Sequence, residues 1–223
     1  MEIGRGITWQ GVFAHMKEDR RMNLWQQDDC QAWHAALESY PQVIAAQGSE
    51  RLSPLDDWYR NELPALLASR QEPYITVGEL EEIAVWKMTR GTWRERNRQL
   101  IKGNPPESVI EASRKAFSEV PDLRKAVNTL SALAGVGPAT ASAALAAYAP
   151  QIYPFFDDLV AVQIPGLGPV AFTVKYYVSY AQALSERAEK LKDTCDERTW
   201  TPHDVAQALW AASGGKAATE QRA

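Results

Sequence analysis

The chain is poor in the residues that build metal sites and disulfide frameworks. It has two cysteines and three histidines among 223 residues. Cys30 and Cys195 lie far apart without metal-ligand spacing and read as two unrelated thiols, which suits a reducing compartment. His15, His34 and His203 show no ligand spacing either, so no metal site is expected. No apolar run approaches ~18 residues, so no membrane-spanning segment is expected. The N-terminus lacks a basic-then-apolar secretory pattern, and the expected location is intracellular, in cytoplasm, nucleoid or nucleus. Strand alternation is missing too. The Val-Ala-Phe-Thr-Val run at 170–174 is short and adjoins helical periodicity, which leaves an all-α fold. Finally, basic charge is not in excess: the net charge of −4 counts against broad affinity for nucleic acid, which Lys and Arg would have to supply.

What is present is helical pattern. With 45% apolar residues the chain can build the core of a single globular unit, 1–223. An extended arm is expected over 1–22 and a frayed tail over 215–223. Helices are expected over 28–46, 53–69, 77–89, 93–101, 106–120, 122–133, 169–193 and from about 201 to a stop at Gly214-Gly215. Thr76 with Glu79 spells a capping box. Between 87 and 102 stand Lys87, Arg90, Arg94, Arg96, Arg98 and Lys102, opposed only by Glu95 and interleaved with Trp86 and Trp93. This segment reads either as a phosphate-binding patch or as a solvated helix face, with Arg94, Arg98 and Lys102 at i, i+4 and i+8.

The most informative stretch is Leu133-Ala-Gly-Val-Gly-Pro-Ala-Thr-Ala-Ser, followed by the pair Asp157-Asp158. Helical apolar spacing precedes it (Ala126, Val127, Leu130, Leu133) and follows it (Ala141, Ala144, Leu145, Tyr148). Gly135 and Gly137 permit positive φ and close backbone approach, and a helix opening on Pro138 exposes free amides. Such a terminus attracts anions, phosphate above all. Ile164-Pro-Gly-Leu-Gly-Pro repeats the hydrophobic-x-Gly-x-Gly pattern, and reads as a plain interhelical turn rather than a second motif.

Leu133, Gly135, Val136, Gly137, Thr140 and Ala141 together resemble the helix-hairpin-helix motif of the DNA glycosylase superfamily. That family places its catalytic aspartate 22 or 23 residues beyond the first glycine, and counting from Gly135 reaches Asp157 or Asp158. Trp86-Lys-Met-Thr-Arg-Gly and Pro154-Phe-Phe add similarity to a group of glycosylase-like proteins in which Ser precedes a single Asp, favouring Asp158. The resemblance implies roughly ten helices in two interlocked helical subdomains, with the hairpin at 123–149. It also implies that Gly135, Val136, Gly137, Ala139 and Thr140 grip a phosphate of double-stranded DNA. The implied reaction is hydrolytic release of a damaged or unusual base from a flipped nucleotide, by a monomer without cofactor. Without a four-cysteine cluster, the iron–sulfur cluster of some members is not expected.

A carboxylate near C1′ would stabilise an oxocarbenium-like sugar and orient the attacking water. One of the two acids can cap the following helix, leaving the other for catalysis. Phe156 and Leu159 replace the family's usual flanks. Lysine-dependent members carry Lys before the motif's Thr. Ala139 stands there, so a lyase step through that position is excluded and a monofunctional glycosylase is expected. Lys87 would be an unconventional nucleophile only if burial lowered its pKa; the plainer reading is a phosphate contact or a surface lysine. Trp86, Trp93, Phe155 and Phe156 are candidate walls for a flipped base, or core aromatics. With Lys87, Arg90 and Arg94 they make the expected cleft. Two other functions fit: a non-catalytic DNA- or protein-binding module, and a binder of small nucleosides or nucleotides.

Overall fold

A computed structural model describes residues 23–195 and 198–220. The arm expected over 1–22 lies outside them. Among the described residues every regular element is helical. After a short 3-10 turn, Leu24–Gln26, come α1 (Cys30–Glu38) and α2 (Tyr40–Ala45). One helix was expected here. It divides at Ser39 because Pro41 in the next turn has no amide to donate and its ring crowds the preceding carbonyl. The following helix is likewise interrupted. α3 (Leu52–Asp57) and α4 (Leu63–Ser69) are joined by a π-helical turn, Trp58–Glu62, just ahead of Pro64.

α5 (Val77–Thr89) begins with the expected capping box: Glu79 N donates to Thr76 Oγ1 at 3.2 Å and Thr76 N to Glu79 Oε2 at 2.8 Å. α6 (Glu95–Lys102), α7 (Pro106–Ser118) and α8 (Leu123–Ser131) follow. α9 (Pro138–Tyr148) is alanine-rich and buried from Thr140 to Ala147, since small side chains let α4, α5 and α8 close around it. α10 (Asp158–Ala161) is one turn. α11 (Val174–Thr194) starts five residues later than expected, behind Thr173 as N-cap. α12 (Pro202–Ala212) stops as expected, but 215–220 of the expected frayed tail form α13 (Gly215–Glu220), and 221–223 lie outside the described residues. Gln47 secures α13, accepting from Ala217 N at 2.9 Å and donating to Gly214 O at 3.2 Å.

The two ends of the described chain meet, with α1 and α2 against α12 and α12 against α11, while α3 to α9 pack among themselves. One continuous apolar core runs through both groups. Trp33, Trp86, Trp200, Trp210, Tyr40 and Tyr59 are sealed within it. Burying rings of this size makes a large favourable transfer contribution in an alanine-rich helical fold. Cys30 and Cys195 correct the sequence reading. They form a disulfide across 165 residues, stapling the start of α1 to the end of α11. Closing a loop that long restricts the unfolded chain by roughly 5 kcal/mol. The pairing removes the argument from free thiols for a reducing compartment.

Candidate functional site

The hairpin is built from beneath. Gly135 has φ +78°, and a Cβ there would stand 2.5 Å from Asn97 O and 2.9 Å from Leu100 Cβ. Only glycine lets the turn press this closely on α6. Asn104 clasps the same turn: its Oδ1 accepts from Ala134 N at 2.9 Å and its Nδ2 donates to Ala134 O at 2.9 Å. Val136 is buried and plugs the turn into the core. Gly137 differs from expectation. Its φ of −101° and ψ of 177° are extended, and it is the N-cap of α9, with nothing within 4 Å of where a Cβ would stand. Its carbonyl accepts from Thr140 N and Ala141 N, both at 2.9 Å. Gly137, Pro138, Ala139 and Thr140 at this terminus all line the cleft described below.

The acid loop is fastened to that helix. Ser142 Oγ accepts from Phe156 N at 3.0 Å and donates to Ala139 O at 3.0 Å. From α11, Tyr180 OH donates to Phe155 O at 2.8 Å and Tyr177 OH to Pro154 O at 3.2 Å. The two aspartates then part. Asp157 is buried and caps α10, its Oδ1 accepting from Leu159 N at 3.0 Å. Its Oδ2 meets Arg90 Nη2 at 3.0 Å. Arg90, also buried, donates from Nη1 to Tyr40 OH at 2.7 Å. Tyr40 OH donates to Asp56 Oδ1 at 2.8 Å, and Trp86 Nε1 donates to the same oxygen at 2.9 Å. Burial pushes the Asp157 carboxyl upward, against the pull of Arg90. Burial also opposes the charge on Arg90, but Tyr40, Asp157 and Asp56 outweigh it and keep the guanidinium protonated.

Asp158 is exposed at the first position of α10, and its Oδ1 lies 3.0 Å from Leu159 N. It opens onto a cleft of about 530 Å³, which also holds Lys87, Arg90, Arg94, Gly137, Ala139, Thr140, Phe155 and Phe156. Lys87, at the end of α5, is half-buried and makes no hydrogen bond or ion pair with a described residue. Burial, helped by Arg94, pushes its ammonium below the ordinary lysine value, while Asp157 and Asp158 pull it back.

Four expected site residues stand elsewhere. Trp86 is sealed, stacked on Tyr59 at 3.6 Å between ring centroids. Trp93 is 46% exposed but outside the cleft, donating to Glu95 Oε2 at 3.1 Å. Gly135 and Val136 support the hairpin without lining the cleft. The basic segment divides as well: Arg98 pairs with Glu81 at 2.8 Å and Glu95 at 3.1 Å, and Lys102 lies 3.8 Å from Glu81. The supposed single face of Arg94, Arg98 and Lys102 therefore splits, with only Arg94 turned to the cleft.

Phe172 and Lys216 are among the cleft residues that escaped the sequence reading. Phe172, 54% exposed, stands on the rim against Phe156, with ring centroids 5.3 Å apart. Lys216 reaches in from α13 and donates to Gly91 O at 2.6 Å. Behind Asp157 a small void of about 10 Å³ is lined by Arg90, His203 and Gln207 together with apolar residues such as Trp86, Phe155 and Val160. The buried Nδ1 of His203, Arg90 Nε and Gln207 Oε1 have no hydrogen-bond partner. Burial, with Arg60 nearby, pushes the His203 ring down to about 3. No cluster of metal-ligating side chains occurs among the described residues. None of their helices is long and apolar enough to cross a membrane.

Comparison with protein-family models, with curated proteins and with solved structures returns no match for this chain.

Proposed function

We propose that the chain is a helix-hairpin-helix DNA-binding protein of the glycosylase type, hydrolysing the N-glycosidic bond of a damaged or unusual base. One observation carries the reading. Asp158 is left open in a cleft that also contains Gly137 and Ala139 at the start of α9, whereas Asp157 is spent on the cap and on Arg90. Lys87, Arg94 and Lys216 give the cleft a local cationic lining despite the net charge of −4. A volume of about 530 Å³ falls in the range of ordinary ligand pockets and suits one extruded nucleotide.

In this reading the amides at the start of α9 hold a phosphate of one strand, and Lys87 and Arg94 hold its neighbours. Phe172 covers the extruded nucleotide from the rim. As the C1′–N bond lengthens, the Asp158 carboxylate stabilises the cationic sugar and orients water toward C1′. The electron pair of the broken bond leaves with the base.

The test is base release from a panel of damaged duplexes, comparing the parent with Asp158→Asn. The expected loss is about 100-fold or more, with duplex affinity retained. Release that is equal in parent and variant would sink the mechanism. The net charge of −4 favours a second reading, a non-catalytic binding module. Duplex binding without release of any base across the panel would select it.

A further inference from the structure

We propose that Lys216 is a positioning residue of the cleft: it clasps the turn between α5 and α6 and so sets where Arg94 stands. The consequence for duplex binding rests on the reading above, whereas the clasp stands on its own contacts. The turn runs from Arg90, the C-cap of α5, to Arg94, the N-cap of α6, and Thr92, Trp93 and Arg94 are exposed. Within it Gly91 N donates to Met88 O at 3.2 Å, and Arg94 N to Met88 Sδ at 3.3 Å, a weak acceptor. From the far end of the chain, Lys216 Nζ donates to Gly91 O at 2.6 Å. Its charge meets this carbonyl just past the end of α5, where the helix dipole favours a cation. A hydrogen bond from a charged donor is roughly twice as strong as a neutral one.

The lysine can act as a clasp because its own backbone is fixed. Gly215 has φ +63°, and a Cβ there would stand 2.7 Å from Trp210 Cζ2, on a ring sealed in the core. Gln47 grips both sides of that glycine, donating to Gly214 O at 3.2 Å and accepting from Ala217 N at 2.9 Å. It also donates to Val43 O in α2, at 2.8 Å. The N-terminal helices therefore hold α13, and α13 holds the α5–α6 turn. Lys87 and Arg94 respond differently to that hold. Lys87 leaves the core-packed α5 before the turn, while Arg94 lies three residues beyond Gly91. The acid loop and α9 are joined to each other through Ser142, independently of the turn. Releasing Gly91 therefore displaces Arg94 relative to Asp158 and leaves Lys87 in place.

The experiment compares the full chain with Lys216→Met, Lys216→Arg, Arg94→Ala and the double variant Lys216→Met/Arg94→Ala. Hydrogen exchange over 90–94, read by mass spectrometry, tests the clasp without any ligand. Lys216→Met is expected to speed exchange in this turn about tenfold, as loss of one charge-assisted hydrogen bond should, and Lys216→Arg to stay near the parent. Affinity at low salt for a duplex carrying an abasic-site analogue then tests the route. Lys216→Met should weaken binding about fivefold, and the double variant should bind no more weakly than Arg94→Ala alone. Unchanged exchange in the turn of Lys216→Met overturns the proposal. Affinity losses that add overturn it too, because Lys216 would then act on the duplex without Arg94. A parent that binds no duplex sinks the reading above, and the exchange result decides the clasp alone.

Discussion

Behind Asp157 the protein is closed: Arg90, Tyr40, Asp56 and Trp86 form a buried chain of hydrogen bonds beside His203 and Gln207. In front of Asp158, one residue later, it is open, with Lys87, Arg94 and Gly137 around the cleft. The same carboxylate chemistry therefore does two jobs. In the rear it holds the loop in place, because a buried guanidinium without its anion is costly. In the front it stays exposed in the cleft, available for the role proposed for it. Substitutions behind the loop should move stability, and substitutions before it should move binding and chemistry.

The largest break in this contrast is expected at the rear. Asp157→Asn leaves Arg90 buried without its anion and should cost about 3–5 kcal/mol in urea unfolding. Asp158→Asn should stay within about 0.5 kcal/mol of the parent. Equal costs for the two would erase the distinction. Gly135→Ala comes next. It combines a left-handed backbone with a Cβ 2.5 Å from Asn97 O, and about 2–4 kcal/mol is expected. An unfolding midpoint equal to that of the parent would show that the turn does not press on α6 as described.

The rear also carries a pH signature. His203 is held down to about 3 in the fold, against an ordinary value of 6.5. Above pH 6.5 the ring is neutral in both states, and its full contribution to stability is present. As pH falls below 6.5 the unfolded chain takes up a proton that the folded ring refuses, so stability declines until the folded value is passed. Up to about 2 kcal/mol should be lost through this group between pH 6 and 4. His203→Gln should flatten that part of a urea-unfolding profile. An unchanged slope would place the proton uptake elsewhere.

The local half of this contrast was legible in the sequence. The hairpin, the Thr76 capping box and the choice between two acids follow from spacing over a few residues. What decided between the acids was not, because Arg90 lies 67 residues before Asp157. The disulfide was hidden for the same reason, its halves brought together only by the docking of α1 on the C-terminal helices. Phe172 was lost to a false period. The apolar residues at 170–174 resemble a helix start, yet Thr173 caps α11 and leaves Phe172 outside it. The two Gly-x-Gly turns show the limit most clearly. Gly137 and Gly168 occupy equivalent places before a proline, but φ is −101° at the first and +71° at the second. The extended glycine starts a helix at once, whereas the left-handed one turns the chain away until Val174.

The smallest stability effect makes the sharpest test of the open side. Gly137 is extended, so alanine fits its φ and ψ, and the space above it is empty. Gly137→Ala should therefore leave stability unchanged or raise it by about 0.5 kcal/mol, since alanine has less freedom to lose from the unfolded chain. The added methyl, however, stands where the proposed phosphate must approach the α9 amides. Duplex affinity at low salt should fall several-fold, by about 1 kcal/mol, while the unfolding midpoint holds or rises. Two glycines of one Gly-Val-Gly turn would then answer the same substitution with opposite signs in stability. Undiminished duplex affinity in Gly137→Ala would mean that the hairpin's free amides do not hold the strand, and the phosphate grip would have to be sought at Arg94 and Lys216 instead.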